Sequence, residues 1–412
     1  MILSVFKKIS KLLDRIFNYL KIDKDTLLFL GIISVSRFIP GKIEEKLILL
    51  GGSGGDAFIG NTKYLYKFLE RNSDYRVYYV VKSKKLKKEL EKQNIDTLYA
   101  YSLETVKKLR KAHYIFVTHG LGDIIPIKFS PQTIFVQTWH GVQNKKLTTK
   151  YKKQKTPKWV KFLGLNTENK NIYDYFLTPT GTEKDKNIIS QHFEFPKERI
   201  IPLGYPRNDI FFNKGQNLYE KLRKKYNIPP RAEKIILYAP TFRDEKLIAD
   251  FPLNNQELKT LNKYLKKIDG LFIIKAHPNE KMIEFKDFSH FRKIDQNADI
   301  QELLYITDIL ITDYSSVYCD FLLLDRPILF FTYDFEEFMK KGRGFYYDFK
   351  EIAPGPFLDN GQELIEAIQN IDILEEKFRR KRKKTLKIFH KYQDGNSTER
   401  ILKYFKINYK KD

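Results

Sequence analysis

One rhythm constrains this chain more than any other feature. A short apolar run stops at a polar turn, a segment of helical spacing follows, and the pattern starts again. In a first block the runs are Leu47–Leu50, Val77–Val81, Tyr114–Thr118 and Thr133–Gln137. In a second block, beginning near Ile200, they are Lys234–Tyr238, Leu271–Lys275, Ile309–Thr312 and Ile328–Phe331, with helices such as Glu257–Ile268 and Ile300–Ile306 between them. Alternation of this kind predicts parallel sheets covered by helices on both faces. Two blocks in 412 residues predict two cores, hence an α/β chain of two facing Rossmann-like domains. The divisions read from the sequence are 1–42, an N-terminal amphipathic segment, then 43–203 and 204–412. In open parallel sheets ligands sit outside the carboxyl ends of the strands, so the residues that end these runs are the candidates for chemistry.

Bulk properties remove several classes. A single cysteine, Cys319, excludes an internal disulfide, and no Cys/His cluster has zinc spacing; neither metal nor cofactor is expected. Near the start the longest apolar run, Leu27–Val35, is half of the roughly 18–20 residues a membrane-spanning helix needs, and no cleavable leader is read there. The net charge of +24 points to anionic partners. Residues 1–21 carry Ile2, Val5, Phe6, Ile9, Leu12, Leu13, Ile16 and Leu20 at helical spacing with basic residues between them, which predicts an amphipathic helix lying on an anionic membrane surface. Lysine-rich stretches at 145–161 and 379–391 are either solvated faces or headgroup contacts. Asp23-Lys24-Asp25 lies away from any strand end and is read as chance. A non-catalytic polyanion-binding protein is the rival of a different class. The basic runs avoid the strand-end motifs and no nucleic-acid-binding signature is present, so nucleic acid is not an expected partner.

The strand ends are rich in reactive groups. Ile311 to Phe321 contains Asp313-Tyr314-Ser315-Ser316, in which the serines fall at a helix N-terminus and form a candidate phosphate site. Gln137-Thr138-Trp139-His140-Gly141 and Lys275-Ala276-His277-Pro278 place one histidine at a strand end in each block. Facing each other across a cleft, one histidine can take a proton and the other can neutralise phosphate charge. Tyr238 to Asp244 supplies Thr241 and Arg243, whose fork suits phosphate oxygens. Arg207, in Gly204-Tyr205-Pro206-Arg207-Asn208-Asp209, sits at the expected hinge, and Arg343 is flanked by glycines. The run Gly51-Gly52-Ser53-Gly54-Gly55 is neither a dinucleotide fingerprint nor a Walker loop, and reads as a flexible loop facing the space between the domains.

Taken in order, Thr138–Gly141, Gly204–Asp209, Tyr238–Asp244, Lys275–Pro278, Ile311–Phe321 and Arg343–Phe345, with Asn61–Leu65 before them, resemble the CDP-glycerol glycerophosphotransferase family of teichoic acid and capsule polymer synthesis. The resemblance spans roughly residues 45–400. It implies a GT-B-like fold and a CDP-glycerol donor held by the C-terminal domain. It also implies a lipid-linked acceptor and a peripheral position on the cytoplasmic face of the membrane. His140 and His277 match the family's functional histidines, Asp313, Ser315 and Ser316 its donor-phosphate region, and Arg243 and Arg207 are implied as further contacts. Two departures stand out. Val142-Gln143 replaces a frequent Thr-Pro on what is read as the acceptor side, and Phe242 replaces a usual Trp. Transfer from CDP-ribitol, or of a sugar from another nucleotide, remains the alternative chemistry.

Overall fold

The structure is a computed structural model that describes residues 41–146, 173–213, 215–241, 252–275, 285, 287–295, 297–341 and 344–410. The amphipathic segment expected at 1–21 and Asp23-Lys24-Asp25 lie outside these residues, as does most of the lysine-rich stretch at 145–161.

Seven parallel strands form the first sheet: β1 (Glu44–Gly51), β2 (Arg76–Val81), β3 (Thr97–Tyr99), β4 (Ala112–Val117), β5 (Ile134–Gln137), β6 (Tyr175–Thr178) and β7 (Ile200–Pro202). Their order is β3-β2-β1-β4-β5-β6-β7. Six parallel strands form the second: β8 (Lys234–Tyr238), β9 (Gly270–Ile274), β10 (Phe291–Lys293), β11 (Ile309–Thr312), β12 (Ile328–Phe331) and β13 (Phe357–Leu358), in the order β10-β9-β8-β11-β12-β13. Both sheets reverse direction between their first strand and their fourth, the switch points where parallel sheets open a ligand crevice.

Continuous apolar runs rather than alternating ones make these strands, because both faces are covered. Leu47 to Leu50 are all buried, and so is every residue of β9. The covering helices of the first unit are α1 (Gly60–Asn72), α2 (Lys84–Glu91), α3 (Leu103–Lys111) and α4 (Glu183–Phe193). Those of the second begin with α5 (Gln216–Lys225), α6 (Asn255–Lys267), α7 (Ile300–Ile306) and α8 (Val317–Phe321). They continue with α9 (Phe335–Lys341), α10 (Phe349–Ile352), α11 (Gly361–Gln369) and α12 (Ile371–Phe389). Short polar side chains fix where many of them start: Ser83, Ser102, Thr182, Asp299 and Asn360 each accept a first-turn amide, and Asn254 with Glu257 closes a capping box on α6.

The chain does not end in the second unit. After α12, Lys391 N donates to Pro179 O, and the last helix, α13 (Ser397–Tyr404), packs Ile401 and Leu402 against Ile48 and Leu65 in the core of the first unit. The segment 204–412 thus sends its end back onto the first sheet. Among the described residues the chain passes between the units twice, and Asp209 of the outgoing passage caps the returning helix by accepting from Ser397 N and Thr398 N. The basic run along α12 is partly structural. Arg382 is 1% exposed and pairs with Asp325 at 3.1 Å, while Arg379 pairs with Glu376.

Candidate active site

At the end of β5 the chain from Thr138 to Gly141 is pinned carbonyl by carbonyl. Asn61, in the first turn of α1, donates its side-chain amide to Thr138 O and Trp139 O, both at 3.0 Å. Arg207 Nη1 donates to His140 O at 2.6 Å, and the Tyr205 hydroxyl to Gly141 O at 3.1 Å. Trp139 holds a left-handed backbone, φ 57°, a conformation that bulky residues avoid unless their surroundings impose it. Its ring is fixed between Phe176 and Phe193. The result of this wiring is one displayed side chain, His140.

The His140 ring lies face to face with His119, which follows β4, at 4.1 Å and 2° between planes. Its Nδ1 is 3.3 Å from Thr118 O. A carbonyl can only accept, so Nδ1 carries the proton and Nε2 keeps its lone pair. Burial of the ring among surrounding protein, then His119 and Arg207, depress its pKa to about 3, against a raising contribution from the Thr118 carbonyl. The residue is nevertheless open to the cleft on its outer side. Water there softens the depression, and its direction decides the chemistry: the ring is neutral at neutral pH. His119 is lowered as well, by burial first, while Asp123 opposes. Asp123 is fully buried and gathers the whole corner, accepting from Thr118 N, His119 N and Gly54 N at 2.6–2.7 Å. The glycine-rich run is therefore not a free loop. Ser53, Gly54 and Gly55 all take positive φ, and their turn is spent on Asp123 and on Thr118, whose Oγ1 accepts from Ser53 N.

From the second unit, the loop after β11 meets this corner. A Cβ built on Gly141 would stand 2.9 Å from Ser316 Oγ, so that hydroxyl lies directly against the residue following His140, and any larger side chain would displace it. Ser315 and Ser316 are both half-buried. α8 is only five residues long, and Ser316 makes no side-chain cap; Ser315 Oγ accepts from Val317 N at 3.4 Å. The expected phosphate seat thus rests on hydroxyls and loop amides, with little help from so short a helix. Asp313 is 1% exposed, and its Oδ1 accepts from Thr241 N, Thr241 Oγ1 and Ser315 N, tying the loops after β8 and β11 together. Lys145 Nζ reaches Thr241 Oγ1 at 3.5 Å from the first unit.

Several expected residues take other positions. Arg207 is 6% exposed and paired with Asp320 at 2.6 Å, so it stands behind His140 and not in the cleft. Asp320 is itself held by Asn208 and Gln301. Val142 packs into the core of the second unit and Gln143 is 2% exposed, which puts this departure from the family pattern in the packed interior and not on an acceptor surface. β9 ends at Ile274 with Lys275 after it, but His277 lies outside the described residues, and so do Arg243 and Arg343. His119, Asp123 and Asn61 received no site role from the sequence. His119-Gly120 obeys the same strand-end rule that selects His140-Gly141, so its signal was present.

A second connection crosses the cleft beside this corner. Lys63 of α1 is 4% exposed and bonds Asp299 at 2.5 Å and Glu302 at 2.7 Å, both from α7. Lys225 and the Tyr226 hydroxyl also reach Glu302. Burial would raise the Glu302 carboxyl, but Lys63, Lys225 and Tyr226 together outweigh it and hold it near 2.

The profile of the CDP-glycerol:poly(glycerophosphate) glycerophosphotransferase family matches residues 33–406 of the chain. A teichoic acid poly(glycerol phosphate) polymerase of Bacillus spizizenii is 34% identical over 345 residues, spanning 79% of this chain and 83% of the relative. A teichoic acid glycerol-phosphate transferase of Staphylococcus aureus is 29% identical, spanning 87% and 92%. A solved structure of the wall teichoic acid polymerase TagF covers 98% of both chains with a TM-score of 0.75 at 24% identity, so the two share a fold.

Proposed function

The chain belongs to the CDP-glycerol:poly(glycerophosphate) glycerophosphotransferase family, and we propose that it moves glycerol phosphate from CDP-glycerol to a hydroxyl of a lipid-linked teichoic acid acceptor. The acceptor oxygen attacks the outer phosphorus of the donor, a new phosphodiester bond forms, the bond to the bridging oxygen breaks, and CMP leaves with that oxygen. His140 Nε2 receives the hydroxyl proton. The observation that supports this role is the neutral His140, Nδ1 committed to Thr118 O, displayed toward the cleft with Ser316 beside it. Its pKa, near 3, is low for a base. Arrival of the donor's negative charge opposes the influence of Arg207 and His119 and makes the ring more basic when it is needed.

In the same proposal Ser315, Ser316, Thr241, Arg243 and Arg343 hold the donor phosphates, and His277 offsets charge on the donor's pyrophosphate as CMP leaves. Arg207 and Asp313 act through the loops they fix. Phosphoryl transfer asks mainly for positioning and charge stabilisation, so this inventory suffices without a covalent nucleophile. The first unit is assigned mainly to the acceptor, and the second, from 204 to the end of α12, mainly to the donor. The net charge of +24 suits a peripheral position at an anionic membrane surface, where a lipid-linked acceptor resides. No helix among the described residues is long and apolar enough to cross a membrane.

The test is CMP release together with product mass, measured with a synthetic lipid acceptor against CDP-glycerol, CDP-ribitol and a panel of UDP-sugars. Products heavier by glycerol phosphate units, formed only with CDP-glycerol, are expected. Transfer from CDP-ribitol or a UDP-sugar in their place would overturn the donor assignment.

A further inference from the structure

Between the two units, beyond the Lys63 bridge, lies a cavity of about 900 Å³, bordered by α1 and α2 on one side and by the chain from Arg292 to Asp299 on the other. We propose that this cavity is an anion subsite in which Lys67, with Arg292 and Lys293, holds a phosphodiester of the acceptor's already-built glycerol phosphate chain. This rests on the function proposed above.

The first ground is a charge count. Lys63, Lys67 and Lys225 gather around two carboxylates, Asp299 and Glu302. Lys63 bonds both carboxylates and Lys225 bonds Glu302. Lys67 is half-buried, lines the cavity, and has no ion pair among the described residues. Burial, then the neighbouring Lys63, push its pKa down to about 8, the mark of a cation short of a counter-charge, although it is still mostly protonated at pH 7. A phosphate there completes the set.

The second ground is the opposite wall. Arg292 and Lys293, at the end of β10, border the same space. The Arg292 guanidinium donates to Asn227 O, and a guanidinium has five N–H groups in all, enough to engage a phosphate as well. Asp56, Glu89 and Asp295 also line the cavity, and Glu89 is loosely paired with Lys85. Cations outnumber anions on the lining, and two of them, Lys67 and Arg292, are half-buried and without an ion pair among the described residues.

The third ground is position. Asn61, which pins the His140 loop, and Lys67 lie on the same helix, six residues and therefore about 9 Å apart along its axis. That spacing sets a phosphate held by Lys67 back along α1 from the His140 loop, so in this proposal it is not the one that reacts. It belongs to a unit further back along an acceptor chain whose end hydroxyl is at the histidine. Binding energy gathered there holds the acceptor without touching the bond that breaks.

The experiment uses the full chain and synthetic acceptors carrying one or several glycerol phosphate units. Lys67→Met should raise KM for the longer acceptor about tenfold or more, the worth of a charge-assisted contact. It should leave kcat and the KM values for CDP-glycerol and the one-unit acceptor unchanged, and Lys67→Arg should restore the wild-type KM. Calorimetry with soluble oligo(glycerol phosphate), in the absence of donor, should show the same loss of affinity in Lys67→Met and in Lys293→Gln. An unchanged KM for the long acceptor in Lys67→Met, or equal competition by inorganic phosphate and by the oligomer at Lys67, would overturn the subsite. Absence of glycerol phosphate transfer by the wild type would instead strike the proposed function, and the calorimetric result reports on the subsite separately from it.

Discussion

The imidazoles of His119 and His140 lie 4.1 Å apart and within 2° of parallel, each at the end of a neighbouring strand of the first sheet. A proton on either ring repels a proton on the other, so the stack favours one neutral pair. With Arg207 behind His140, the corner keeps that ring unprotonated.

His140→Ala is expected to lower turnover by at least ~100-fold, the contribution of a general base, while CDP-glycerol still binds. Single-turnover rates with saturating acceptor, beside calorimetric donor binding, check this. Near-wild-type turnover would remove His140 from the chemistry.

His119→Asn takes away one of the influences that depress the His140 pKa, so that pKa should rise. The acid limb of the rate profile then moves to higher pH. Ring-proton titration of His140 by NMR should show the same direction, and a shift downward would contradict the stack as its cause.

Ser315→Ala together with Ser316→Ala should weaken donor binding by about 2 kcal/mol, or roughly thirtyfold in Kd, if both hydroxyls bond the charged phosphates. Unchanged donor affinity would reduce these serines to ordinary loop residues.

Lys63→Met leaves Asp299 and Glu302 buried without their main counter-ion, which costs about 3–5 kcal/mol of stability in denaturant titration. The wild type should show the matching pH dependence. Glu302 sits near 2 when folded against its usual 4.5, so its stabilisation is complete above pH 4.5 and is lost as the pH falls toward 2. Glu302→Gln should flatten the stability curve in that window.

The strands that sequence reading found are those in which both faces are buried, because an unbroken run such as Leu47–Leu50 or Ile309–Thr312 has no other economical place. The strands it passed over, β3, β6, β7, β10 and β13, have two to four residues and owe their pairing to neighbours in the sheet. At the site, strand-end position was enough to select His140, Ser315 and Ser316. It could not reveal that Arg207 faces inward, because that depends on Asp320, 113 residues further along the chain. Nor could it show Asn61 gripping Thr138 and Trp139 or Lys63 bridging to α7, since these contacts join residues that only the packed units bring together. Asp313 illustrates the same limit: its place in the motif was plain, but its commitment to Thr241 was not.

The two cross-connections between the units, fastened to each other by Asp209 on Ser397 and Thr398 and by Arg400 on Leu203, behave as the paired knuckles of a hinge pin. A single linker would let one unit tumble about the other, whereas two fastened side by side favour a swing about the line that joins them, which the buried Lys63 bridge to Asp299 and Glu302 resists. Sliding one sheet past the other would tear the pin. The distance between Gly141 and Ser316 then becomes the jaw opening of this swing, so any substance that wedges the units apart should be read out first as a widening at that pair of residues.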